Sequence, residues 1–154
     1  MTTAPSNALH IFIDGDACPV KEEVYRVAAR YGVPITLAAN SYFRVPPGVE
    51  QVVVDATPDA ADDYIAEKAH EKSVVITADI PLADRCLKAG AIVLGTNGKP
   101  FTENSIGAAL ATRALMADLR SGGDIVGGPP PFGKQDRSRF LSALDEALVR
   151  LKRR

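Results

Sequence analysis

Five short hydrophobic runs punctuate the chain: Leu9 to Ile13, Ile35 to Ala39, Gln51 to Val54, Val74 to Thr77 and Ala91 to Leu94. They are rich in β-branched residues and nearly continuous rather than alternating, the pattern of strands buried on both faces of a parallel sheet. Between them the polar and apolar positions recur with a helical period. Val20, Val24, Val27, Ala28 and Tyr31 fall on one face, with Pro19 near the start and Gly32 past the end, which predicts a helix. Asp59 to Ala69 and Pro81 to Ala89 are shorter helical patterns, the second closed by Gly90. Strand and helix in alternation predict a three-layer α/β domain with a mostly parallel sheet of four or five strands.

The last third reads differently. Thr102 is placed to cap a helix running to about Arg120, with Ile106, Leu110 and Ala114 on one face. Residues 121–133, SGGDIVGGPPPFG, form a Gly/Pro-rich loop without periodicity. A final helix is predicted from about Asp136, with Phe140, Leu144, Leu148 and Leu151 facing inward. No internal repeat or composition shift divides the 154 residues, a length suited to one core, so residues 1–154 are expected to form one domain behind a flexible tail at 1–8.

Composition narrows the class. Hydrophobic residues make up 46% and charged residues 24%, which is globular composition, and no apolar run approaches the roughly 18 residues that would cross a bilayer. Met1 to Asn7 lacks the basic start and apolar run of a secretion signal. Cys18 and Cys86 form no spaced framework, so a reducing, cytoplasmic setting is expected. The formal net charge of -1 divides unevenly. Residues 1–100 hold 13 acids and 9 bases, residues 101–154 hold 6 acids and 9 bases, so the parts carry -4 and +3. Such a division suits a chain that holds metal with one region and phosphate with another.

The acids follow the runs. Asp14 and Asp16 follow the first, Asp55, Asp59, Asp62 and Asp63 the third, and Asp79 and Asp84 the fourth. In open α/β sheets ligands bind beyond the carboxyl ends of the strands, so three strands are expected to deliver carboxylates to one edge. Carboxylates within about 4–6 Å of one another raise each other's pKa unless a cation sits among them, and an all-oxygen set favours Mg²⁺ or Mn²⁺. Each acid also has a plainer reading. Asp14 and Asp16 can close a turn in which Gly15 supplies an unusual backbone angle. Asp62 and Asp63 suit a helix start, Asp79 can be an N-cap ahead of Pro81, and Asp84 a solvated helix residue. Cys18 at a helix start has no histidine placed to serve it, so a packed thiol is expected rather than a nucleophile. Arg113 and Arg120, seven apart, share one helical face from which they can pair with surface acids or reach a phosphate.

The ordered motifs DGDACPV, DAADDYI, TADIPLAD, TENSI with LATRALMADLR and GGPPPF, and DRSRFLSALD resemble the YaiI/YqxD-type family of bacterial proteins, over about Leu9 to Leu148. The resemblance implies a PIN-like domain, the fold of metal-dependent nucleases with a parallel sheet and clustered acids. Its first-strand acid corresponds to Asp14, with Asp16 beside it, its middle-helix acid to Asp62 or Asp63, and its later acid to Asp79, with Asp84 close by. Asp-x-Asp stands where one acid is typical. That departure also resembles the haloacid-dehalogenase-like phosphatases, in which Asp14 would be phosphorylated and Asp16 would act as acid/base.

These readings lead to one expectation: Mg²⁺- or Mn²⁺-dependent hydrolysis of RNA, rather than DNA, or of single-stranded nucleic acid. Asp14, Asp16 and Asp79 would be catalytic, Asp62, Asp63 and Asp84 would join them around the metal, and Arg113 and Arg120 would hold the substrate. An aspartate-based phosphatase and a non-catalytic RNA-binding module are the alternatives.

Overall fold

The computed structural model describes residues 8–55, 57, 59–108, 110–112 and 133–153. The elements are β1 (His10–Asp14), a 3₁₀ turn (Gly15–Ala17), α1 (Lys21–Tyr31), β2 (Ile35–Ala39), β3 (Val49–Val53), α2 (Ala60–Lys68), β4 (Ser73–Ile76), α3 (Ile80–Lys88) and β5 (Ile92–Leu94). A helical segment over residues 103–108 and 110–112, α4, precedes the long α5 (Lys134–Lys152). The five strands are all parallel, in the order β3-β2-β1-β4-β5. β1 therefore lies at the centre, and the chain turns from building one half of the sheet to building the other between β1 and β4.

Alternation along the strands supplies both faces. Ile11 and Ile13 of β1, Leu37 of β2 and Val74 and Ile76 of β4 join Val20, Val24 and Val27 of the α1 region and Phe140, Leu144 and Leu148 of α5. On the other side Phe12, Ala38 and Val75 meet Ile65 of α2, Leu82 and Cys86 of α3 and Ile106 of α4. A sheet between two helical layers follows. The four residues expected to face inward from the last helix, Phe140, Leu144, Leu148 and Leu151, are at most 1% exposed. α1 ends where its sequence predicts, with Gly32 at φ 66°, its N–H returning to the carbonyls of Ala28 and Ala29.

Two expectations need correction. β3 is an edge strand, not one buried on both faces, and Val53 is 52% exposed, because nothing pairs beyond it in the sheet order. Leu110, expected on one face with Ile106, is 41% exposed, while Ile106 is buried. The tail at 1–7, most of the loop at 121–133, and Ala114 lie outside the described residues.

The crossover from β2 to β3 contains no helix. Residues 40–48 alone return the chain from the carboxyl end of one strand to the amino end of its neighbour, a connection usually made through a helix. Phe43 and Val45 pack onto the α1 side of the sheet. The Gln51 side chain grips the loop as a strand would: its Oε1 accepts from Phe43 N–H at 2.6 Å and its Nε2 donates to Phe43 C=O at 2.7 Å.

Candidate functional site

Asp14, Asp16, Asn40, Ala61, Asp62, Ala78 and Asp79 line one cleft of about 360 Å³. It opens beyond the carboxyl ends of β1, β2 and β4, where the strand order reverses and where open α/β sheets bind ligands. Asp14 is the last residue of β1 and Asp16 follows it in the 3₁₀ turn. Gly15 separates them for a reason other than backbone angle, since its φ is not positive. A Cβ there would stand 2.7 Å from Leu37 Cδ2 and 3.2 Å from Ala39 Cβ, so the turn lies against β2 too closely for a side chain.

Asp14, Asp16 and Asp79 are held by their neighbours. Thr77, which follows β4, donates from Oγ1 to Asp14 Oδ2 at 2.9 Å, and the same hydroxyl accepts from Asp79 N–H at 2.9 Å. Asp79 Oδ1 accepts from Leu82 N–H at 2.9 Å, capping α3 ahead of Pro81 while the residue still lines the cleft. Capping and site are thus one role here. Asp16 Oδ2 accepts from Asn40 N–H at 2.8 Å, tying the turn to the end of β2. On the outer side Arg137 of α5 donates to Pro19 C=O at 3.0 Å and pairs with the buried Glu23 at 3.1 Å, so the last helix braces the turn that carries Asp14 and Asp16.

The charges strain against one another. Burial pushes the Asp14 carboxyl above its ordinary range; Asp79 and Asp16 push the same way, while the Thr77 hydrogen bond and Lys21 oppose them. Asp62 is pushed from 3.8 up to about 6, by burial first and then by Asp79, Asp14 and Asp59, with Arg85 opposing. An acid raised in the fold makes its stabilising contribution at low pH and loses it as pH rises from 3.8 to about 6. Asp62→Asn is therefore expected to raise the melting temperature at pH 7 in EDTA. With the shift discounted for solvent exposure to about 1 kcal/mol, the gain is about 2–4 °C, and scanning calorimetry at pH 4 should show none.

Not every expected acid reaches the cleft. Asp63 lies one position, and so about 100° of helix turn, beyond Asp62. It faces outward to an exposed ion pair with Arg85 at 2.8 Å. Asp84 pairs with Lys88 one helical turn away at 3.0 Å. Asp59 stands at the start of α2 and Asp55 offers its carbonyl to Asn40 Nδ2. Arg113 and Arg120 lie outside the described residues. Cys18 is buried and its thiol is pushed up by that burial, which makes it a packed thiol rather than a nucleophile. His10 stays in its strand, hydrogen-bonded to Thr36 and tilted against Phe12. Asn40, the first polar residue after the second run, and Thr77, the polar residue that closes the fourth, carry the same kind of signal that picks out Asp14.

Among the described residues no three His, Cys, Asp or Glu side chains stand close enough to ligate one ion directly. Mg²⁺ commonly takes one or two carboxylates and keeps its waters, which the remaining acids can then bind. The donor set, all oxygen and short of cations, fits that mode.

Over residues 12–150 the sequence matches the family described as "Uncharacterized BCR, YaiI/YqxD family". The chain belongs to the YaiI/YqxD family. Among its relatives, a UPF0178 protein of Sphingopyxis alaskensis is 65% identical over 93% of this chain and 95% of its own length. The UPF0178 protein bll3966 of Bradyrhizobium diazoefficiens is 56% identical over 100% of this chain and 92% of its own. No solved structure matches. The YaiI/YqxD match includes every residue that lines the cleft, from Asp14 to Asp79. Among the described residues no helix is long and apolar enough to cross a membrane.

Proposed function

We propose that this YaiI/YqxD-family protein is a Mg²⁺- or Mn²⁺-dependent nuclease that hydrolyses phosphodiesters of RNA or other single-stranded nucleic acid. The observation that carries the reading is the cleft at the strand-order reversal, where Asp14, Asp16, Asp62 and Asp79 converge with raised carboxyl pKa values at Asp14 and Asp62. The resemblance to PIN-like domains supports the nuclease class, and the two buried thiols suit a cytoplasmic setting.

Asp14 and Asp79 are the residues that would hold the ion, with Asp16 and Asp62 binding its waters. The ion, when bound, supplies charge neutralisation at the phosphate and a more acidic water. Thr77 engages Asp14 Oδ2 and so orients that carboxylate, leaving Oδ1 for ligation. Asn40 N–H fixes Asp16 beside it. The excess of base in residues 101–154, with Arg113 and Arg120, would hold backbone phosphates.

The test is direct. Purified protein given Mn²⁺ and end-labelled single-stranded RNA should yield cleavage products that EDTA abolishes, with no phosphoprotein formed. A phosphoprotein on Asp14, accompanied by hydrolysis of an aryl phosphate, would instead establish the phosphatase chemistry of an Asp-x-Asp turn. Absence of cleavage of both RNA and DNA, together with Mn²⁺ affinity unaffected by Asp14→Asn, would overturn the proposal.

A further inference from the structure

We infer that Tyr42 is a stacking platform for an unpaired nucleobase, on the loop that leaves the carboxylate cleft at Asn40. The inference rests on the single-stranded nucleic-acid reading of the cleft and names the part of the substrate that is read there. Tyr42 is 79% exposed, the most exposed of the large hydrophobic side chains among the described residues. It stands two positions after Asn40, which lines the cleft and whose N–H holds Asp16, so the chain alone keeps it within about 7 Å of that lining residue, Cα to Cα.

The segment that presents Tyr42 is tied down on both sides. Asn40 reaches Asp55 C=O, and Phe43 is gripped at both its N–H and its C=O by Gln51. Lys21 sits 4.4 Å from the centroid of the Phe43 ring while donating to Cys18 C=O at 2.9 Å, which joins the loop to the turn that carries Asp14 and Asp16. The ring is thus presented on a braced loop, and bracing lowers the ordering cost when a partner stacks on it. Val53, the other strongly exposed apolar side chain near this edge, ends the neighbouring strand, where it pairs in register with Ala39. Arg44, also exposed, adds a cation on the same loop. A flat ring and a cation on the loop that leaves the proposed phosphodiester site fit a base together with its own phosphate. A base in a duplex has no free face to offer, so the platform selects single strands.

The chain contains no tryptophan, so Tyr42→Trp introduces a single reporter at the platform. Binding of a labelled single-stranded 12-mer is read in the Asp14→Asn background, where cleavage does not intervene. Tyr42→Ala is expected to weaken binding about tenfold or more and Tyr42→Phe to stay within about twofold. The emission of the introduced tryptophan should be quenched by the single strand and not by the same strand annealed to its complement. Tyr42→Ala should leave the slope of log Kd against log salt unchanged, whereas Arg44→Ala should reduce it by about one phosphate contact. Unchanged affinity in Tyr42→Ala, equal binding and quenching by duplex, or no oligonucleotide binding at all would each overturn the platform. Loss of binding in Tyr42→Ala, in a protein that never cleaves with Mn²⁺, would keep the platform and overturn the nuclease. Cleavage with unaltered binding in Tyr42→Ala would do the reverse.

Discussion

Asp14→Asn is expected to lower Mn²⁺-dependent cleavage of single-stranded RNA by about a hundredfold to a thousandfold, the scale of removing one organised electrostatic partner from a closed site. The reason lies in its position. Asp14 ends the central strand, is flanked by Asp16 and Asp79, and is the only one of the four oriented by the Thr77 hydroxyl. Asn preserves the shape and can still accept from Thr77, so the loss isolates the charge. In EDTA at neutral pH the variant should melt no lower than the parent and somewhat higher, because a half-buried carboxylate repelled by two neighbours has been made neutral. Titration calorimetry with Mn²⁺ should show weakened binding beside the loss of rate. Loss of rate together with a lower melting temperature would point to a structural role for Asp14 instead.

Phe140→Ala should be the most destabilising single truncation, at about 3–5 kcal/mol. Phe140 is the largest of the fully buried side chains and belongs to the core cluster through which α5 packs on α1 and β4. The same stretch of helix packs on Gly98, where an added Cβ would lie 2.7 Å from the Arg139 carbonyl carbon, so the helix cannot settle inward to fill the space. For a domain of this size that cost corresponds to a fall of roughly 10 °C or more in melting temperature, measurable by circular dichroism. Phe140→Leu, which conserves most of the volume, should lose less than half as much. Because Arg137 on the same helix braces the turn bearing Asp14 and Asp16, any surviving activity of Phe140→Ala should fall before the protein unfolds.

The carboxylates themselves were legible from the chain, but their selection was not. Asp14, Asp16 and Asp79 follow apolar runs directly, and a strand of known direction delivers whatever comes next to its carboxyl end. Asp62 and Asp63 are adjacent on one helix, and only the docking of Ala61 and Ile65 against the sheet turns the first toward the cleft and the second toward Arg85. Asp84 is likewise assigned by its helical neighbour Lys88. Gly15 looked like a turn residue chosen for its backbone angle; its true constraint is Leu37 on another strand, which no local reading contains.

What the chain decides locally is the set of elements, because burial on both faces of a strand and a helical stripe are written in the spacing of apolar residues. Run by run the strands stand within about two residues of where that spacing predicts them, and the parallel α/β class follows from their alternation with helices. Strand order, by contrast, depends on which strands pair across tens of residues, and hydrophobic spacing is the same for every order. Placing β1 between β2 and β4 is what brings Asn40 and Thr77 to Asp16 and Asp14, leaves β3 on the edge, and makes residues 40–48 a bare crossover on which Tyr42 is exposed.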